Sequence, residues 1–161
     1  MLIFDKKESK IWLVLQIFVI LVFNYLYSLM GKIVTLTEAA SIALHGMIIV
    51  AKSDSMVNVV QIADVTGSSK HHVAKIFQRL VKDNFLDSHR GPTGGFTLKK
   101  KPSEITLLEL YESIEGKIEV RTCVHDKQIC PFGKCIMQNV TKKMTSDFKD
   151  HLSSHTLENY M

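Results

Sequence analysis

Three cysteines, Cys123, Cys130 and Cys135, fall within 13 residues, with gaps of six and four between them. A thiolate is a nucleophile and a soft ligand, so such a group points to a metal or redox centre. Three is an odd number and too few for a disulfide-stapled scaffold in a chain of 161 residues. The gaps lack the paired C-x2-C knuckles of structural zinc. Three thiolates with one weaker ligand suit an iron–sulfur cluster, either [2Fe–2S] or [4Fe–4S]. Zinc and three unligated thiols are the alternatives. His125 lies in the same stretch and is one candidate for the missing ligand.

A second set of residues suits a different chemistry. Ser69, Lys70, His71, His72, Lys75 and Arg79 are hydrogen-bonding or cationic, and they alternate with an apolar stripe. The stripe is Val73, Ile76, Phe77, Leu80 and Val81, at helical spacing. A helix built this way buries one face and offers the other. Placed in a major groove, its N-terminal residues meet base edges, while Gln78 and Arg79 reach phosphates. Residues 70–101 hold eight Lys/Arg against two Asp, a surplus of six that exceeds the +4 of the whole chain. Clustered cations release phosphate counterions on binding DNA. Arg90, Thr93 and Gly94 belong to Arg90-Gly-Pro-Thr-Gly-Gly-Phe96, a Gly-rich tip between two short strands. Arg90 is placed to enter a narrow minor groove.

The elements that must hold these residues follow from periodicity. Thr35-Leu-Thr-Glu38 has capping-box spacing, and Ala39, Ile42, Ala43, Met47 and Val50 continue as a helix. Val59, Ile62, Ala63 and Val65 suit a short second helix. The turn Thr66-Gly67-Ser68 follows, and Ser69 is a good N-cap for the third helix. After the hairpin, Pro102-Ser103-Glu104 opens a fourth helix that stops at Gly116. A last helix over about 136–152 carries Val140, Met144, Phe148 and Leu152, a stripe that needs a partner surface. The predicted fold is mainly α with a small β-hairpin wing: a winged helix-turn-helix plus a long C-terminal helix.

The order of motifs resembles the Rrf-two family of bacterial winged-helix regulators from about Met30 to Leu157. The resemblance is carried by the wing run Arg90–Phe96, by the three-cysteine loop one helix later, and by Gln61-Ile62-Ala63 and Phe77-Gln-Arg79-Leu80. It implies a homodimer through the C-terminal helix, reading a palindromic operator in double-stranded DNA. It also implies a cluster on Cys123, Cys130 and Cys135. Some members add a His three residues after the last Cys, where this chain has Gln138; others add an acidic residue from the partner's first helix, a position that Glu38 matches. A capping role is the alternative for Glu38.

Three segments are therefore expected. Residues 30–100 form the DNA-binding winged helix-turn-helix. Residues 101–161 hold the linker helix, the cysteine loop and the dimerisation helix. Residues 1–29 are an apolar extension, and the run 11–31 that it opens carries no charge between Lys10 and Lys32. A helix of about 20 residues spans a bilayer core, so a membrane segment is physically open, as is a secretory signal without an obvious cleavage site. The preferred reading is an upstream extension of a protein that starts at Met30 and works in the cytoplasm. The length excludes a large two-domain enzyme. No Ser/His/Asp arrangement, paired carboxylates or phosphate-binding Gly loop suggests catalysis. The expected function is a repressor sensing redox, nitric oxide or iron status. A cluster-free thiol or metabolite sensor of the same fold, and a membrane-tethered adaptor, are the rivals.

Overall fold

Thr37 starts the first helix. Its hydroxyl accepts from the Ala40 N–H at 3.0 Å, and α1 runs Glu38–Ala51. Thr37 rather than Thr35 is thus the cap, and Glu38 occupies the first helical position instead of closing a capping box. The computed structural model describes residues 36–91, 94–121 and 137–161. The extension 1–29 with its apolar run lies outside the described residues. Among those described, no helix is long and apolar enough to cross a membrane.

Asn58 and Gln61 close a reciprocal capping box at the start of α2, Val59–Thr66, and Gly67 ends it in the left-handed region. Ile62 and Ala63 are buried, but Val65 is 71% exposed and is not part of the core. Ser69 caps α3, Lys70–Lys82, by accepting from the His72 N–H. Val73, Ile76, Phe77 and Leu80 are buried as the stripe predicts, and Val81 is half-buried.

The wing is an antiparallel pair, β1 Leu86–His89 and β2 Gly95–Leu98, in the register Leu86 to Leu98 and His89 to Gly95. Val57, between α1 and α2, pairs with Phe96 through two backbone hydrogen bonds, so β2 is flanked on both edges. This extra pairing was not visible in the periodicity.

The fourth helix comes in two pieces. Pro102–Glu104 is a 3-10 turn, and α4 spans Leu107–Glu115 with its own capping box, Thr106 and Glu109. The break leaves the backbone at 105–107 free to pair elsewhere. Leu107 N–H donates to His155 C=O, and Leu157 N–H donates to Ile105 C=O. The partner segment follows α5, Val140–Ser154, and precedes a 3-10 turn at Leu157–Tyr160. Ile105 and Leu157 are fully buried.

The core is one cluster that joins α1, α3, β2, α4 and the segment after α5. Phe77 is at its centre, with its ring 5.0 Å from that of Phe96. Gly46 permits the close crossing of α1 and α3, because a Cβ there would lie 2.7 Å from the Phe77 ring. Gly46→Ala is expected to destabilise the protein by about 1–3 kcal/mol through overpacking. Urea unfolding measures it; an unchanged midpoint with an unchanged slope would contradict this packing.

Candidate nucleic-acid interface

The residues singled out for DNA lie on the solvent side of α3 and at the wing. Lys70, His71, Lys75, Gln78 and Arg79 are exposed. His71, Lys75, Gln78 and Lys82 recur every three or four positions and so form one edge of the helix. None of Lys70, Lys75, Arg79 or Arg90 forms an ion pair with a described residue. Four cations without an ion pair to a described carboxylate present a positive surface to an anion.

Other candidates are placed differently. Ser69 spends its hydroxyl on the cap. His72 is half-buried, and its Nδ1 lies 3.3 Å from Glu38 Oε1. Lys99 and Lys100, counted in the basic surplus, are engaged locally: Lys99 Nζ donates to Asn84 Oδ1 at 2.9 Å, and Lys100 Nζ sits 5.3 Å from the centre of the Phe85 ring. Thr93 lies outside the described residues. Gly94 has a packing reason to be glycine, since a Cβ would stand 2.3 Å from the His89 carbonyl. Its N–H donates to Gly91 C=O at 3.0 Å, which closes the tip behind Arg90.

Cys123, Cys130 and Cys135, with His125, also lie outside the described residues. Among the described residues, no three His, Cys, Asp or Glu side chains converge as a metal site. The Glu38 carboxylate is 65% exposed, and among the described residues its ionic partner is His72. Gln138 and Asn139 take positive φ ahead of α5. That helix therefore begins later than predicted and extends to Ser154.

Two long-range hydrogen bonds escaped the sequence reading. Thr37 Oγ1 donates to Glu115 Oε1 at 2.6 Å, and Ser113 Oγ donates to Asp83 Oδ2 at 2.6 Å. They join residues 78 and 30 positions apart, and no local spacing rule signals either.

The C-terminal stripe divides into two. Leu152 is buried, and Phe148 meets Tyr111 edge-on at 5.4 Å within the same chain. Val140 and Met144 are 49% and 38% exposed, with Met137 beside them at 39%. Burial, then the negative Glu115 nearby, pushes the Tyr111 phenol above its ordinary value of 10.0. The unfolded chain then loses this proton first. The stability contribution is complete below pH about 10 and is lost as pH rises through the folded-state value. Tyr111→Phe is expected to flatten that part of the alkaline decline, read as urea midpoints between pH about 9 and 11.

Comparison with known proteins gives a consistent answer. The Rrf2 family, described as iron-dependent transcriptional regulators, matches residues 36–161. The HTH-type transcriptional regulator NsrR of Bacillus licheniformis is 30% identical over 127 residues, covering 76% of this chain and 89% of its own. The regulator IscR of Photorhabdus laumondii is 28% identical over 123 residues, covering 76% and 71%. Among solved structures, CymR, the global cysteine regulator of B. subtilis, superposes with a TM-score of 0.63 at 23% identity, over 78% of this chain and 95% of that one. The IscR of T. potens gives 0.61 at 20% identity, over 79% and 85%. These two likenesses carry the winged-helix fold. Motif order, fold and family match agree: the chain belongs to the Rrf2 family, whose members regulate transcription and are not enzymes.

Proposed function

We propose that this chain is a cytoplasmic, homodimeric repressor that binds a palindromic operator and responds to an iron–sulfur cluster on Cys123, Cys130 and Cys135. The observation that supports the reading is the position of α4, which packs on α1 and α3, bonds to the N-cap of α1 and the C-cap of α3, and precedes Cys123 by eight positions in sequence, counted from Glu115.

The donor set fits such a group. Three thiols are soft ligands, and a fourth, harder ligand is available in the exposed Glu38 carboxylate at the start of α1. That carboxylate would be supplied by the partner subunit. When bound, a cluster supplies a centre whose state changes with oxidants, nitric oxide or iron supply.

The protein's own residues do the reading. Lys70, His71 and Lys75 face base edges and nearby phosphates, Arg79 contacts the backbone, and Arg90, with Thr93 and Gly94 at the tip, follows the minor groove. The exposed Met137, Val140 and Met144 pack against their counterparts in the second copy. Two half-sites then lie about 34–36 Å apart, so small shifts of one copy against the other alter the fit. The proposed domain bounds are 30–100 for reading DNA, 101–161 for sensing and dimerisation, and 1–29 for the apolar extension.

An anaerobic ultraviolet–visible spectrum with iron and sulfide analysis tests the cluster. Broad visible absorbance with about two or four irons per chain is expected, and Cys→Ala changes should abolish it. Colourless protein with three free thiols after anaerobic reconstitution would overturn the cluster and leave a thiol sensor. Salt-independent DNA binding, or none, would overturn the DNA reading itself.

A further inference from the structure

We propose that the last turn of α4 is a positioning clamp for the reading helix: Ser113 holds its C-cap Asp83, while Glu115, through Thr37 and Glu38, holds His72 in its first turn. This rests on the reading of α3 as the DNA-contacting element.

One of these contacts is made at the C-cap of α3, and the other reaches its first turn through the start of α1. Asp83 is the C-cap of α3, and its Oδ2 accepts from Ser113 Oγ at 2.6 Å. At the other end, Glu115 Oε1 accepts from Thr37 Oγ1 at 2.6 Å. The same hydroxyl accepts from the Ala40 N–H, so Thr37 is fixed in both its donor and acceptor roles. The next residue, Glu38, is 3.3 Å from His72 Nδ1. Hydroxyl-to-carboxylate bonds of this length are of the stronger, charge-assisted kind.

Such bonds do what core packing cannot. The apolar contacts of Val73, Ile76, Phe77 and Leu80 hold α3 against its neighbours, but hydrophobic contact is non-directional. It sets the distance of the helix more firmly than its rotation. One directional bond holds the C-cap of this 13-residue helix, about 20 Å long, and a second fixes Thr37, the residue before the Glu38 that contacts His72, so that both act on its rotation and tilt. Those two angles decide which base edges Lys70, His71 and Lys75 meet. No Lys or Arg takes part in the clamp, so the phosphate-neutralising share of binding does not depend on it.

The test uses the full chain and two DNA duplexes: one selected by the wild type from a random-sequence pool, and one scrambled. The variants are Ser113→Ala with Glu115→Ala, and the conservative pair Ser113→Thr with Glu115→Gln. Both pairs remove one negative charge, but only the second keeps a donor at 113 and an acceptor at 115. The alanine pair is expected to bind the selected duplex about tenfold more weakly and the scrambled duplex within about twofold of the wild type. The conservative pair should restore most of the loss. Wild-type discrimination in the alanine pair overturns the clamp alone. Parallel loss on both duplexes with a lowered Tm also overturns it, in favour of a purely structural role. A wild type that does not discriminate between the duplexes overturns the reading of α3 and the clamp with it.

Discussion

Phe77→Ala is expected to destabilise the protein by about 3–5 kcal/mol, the largest effect of any single substitution in the core. The ring is fully buried and stacks at a tilt on Phe96 of the wing. It also lies against Gly46 of α1, a position that tolerates no Cβ without movement. One side chain therefore joins α1, α3 and β2, and its removal leaves a cavity that rigid backbone on two sides cannot collapse into. Native domains hold only about 5–15 kcal/mol in total, so the loss consumes a large part of the margin. A fall in Tm of about 10–20 °C is expected for a domain of this size, followed by far-ultraviolet circular dichroism. A fall of less than about 2 °C would contradict the central place given to this ring.

The second large effect concerns binding. Changing Lys70, Lys75 and Arg79 together to Gln should lower the magnitude of the slope of log K against log salt by about 2.7 per subunit, if each meets one phosphate. At about 0.1 M salt that corresponds to roughly 10²–10³-fold weaker binding for each half-site occupied. Stability should hardly change, because these side chains are exposed and form no ion pair with a described residue. A variant that binds as tightly as the wild type, with an unchanged slope, would move the DNA surface off α3. Lys99→Gln and Lys100→Gln serve as controls. Those two cations are already engaged with Asn84 and Phe85, so their contribution to the slope should be smaller.

The elements legible in the sequence are those whose signal is local. The α3 stripe, the Ser69 cap, the Gly67 stop and the existence of the hairpin all follow from residues within a few positions of one another. The features that were not legible depend on distant partners. Val57 pairs with Phe96 across 39 positions, and Thr106 bridges to Thr156 across 50. The stretch 102–107 reads as a continuous helix by propensity, but pairing with 155–157 breaks it at Ile105. Val65 fits a helical apolar spacing yet faces solvent, because an eight-residue helix buries only the narrow stripe that its neighbours reach. The same division applies to the interface. The exposed cations were evident from composition, whereas Ser113, Asp83 and Glu115 were not, since nothing near them in sequence marks what they touch. The cysteine spacing was evident from the start, and the family match shows that the chain carrying it is a transcriptional regulator.

Burial along α5 is graded, from Val140 and Met144 in contact with solvent, through half-buried Phe148, to buried Leu152 at the end fastened by the 155–157 pairing. In an isolated copy, amide hydrogens should exchange in the same order, fastest in the first turn and slowest in the last, because the buried end resists local opening. A second copy laid over the first two turns would remove that gradient. Thus α5 itself is a label-free gauge of self-association, readable residue by residue by deuterium uptake.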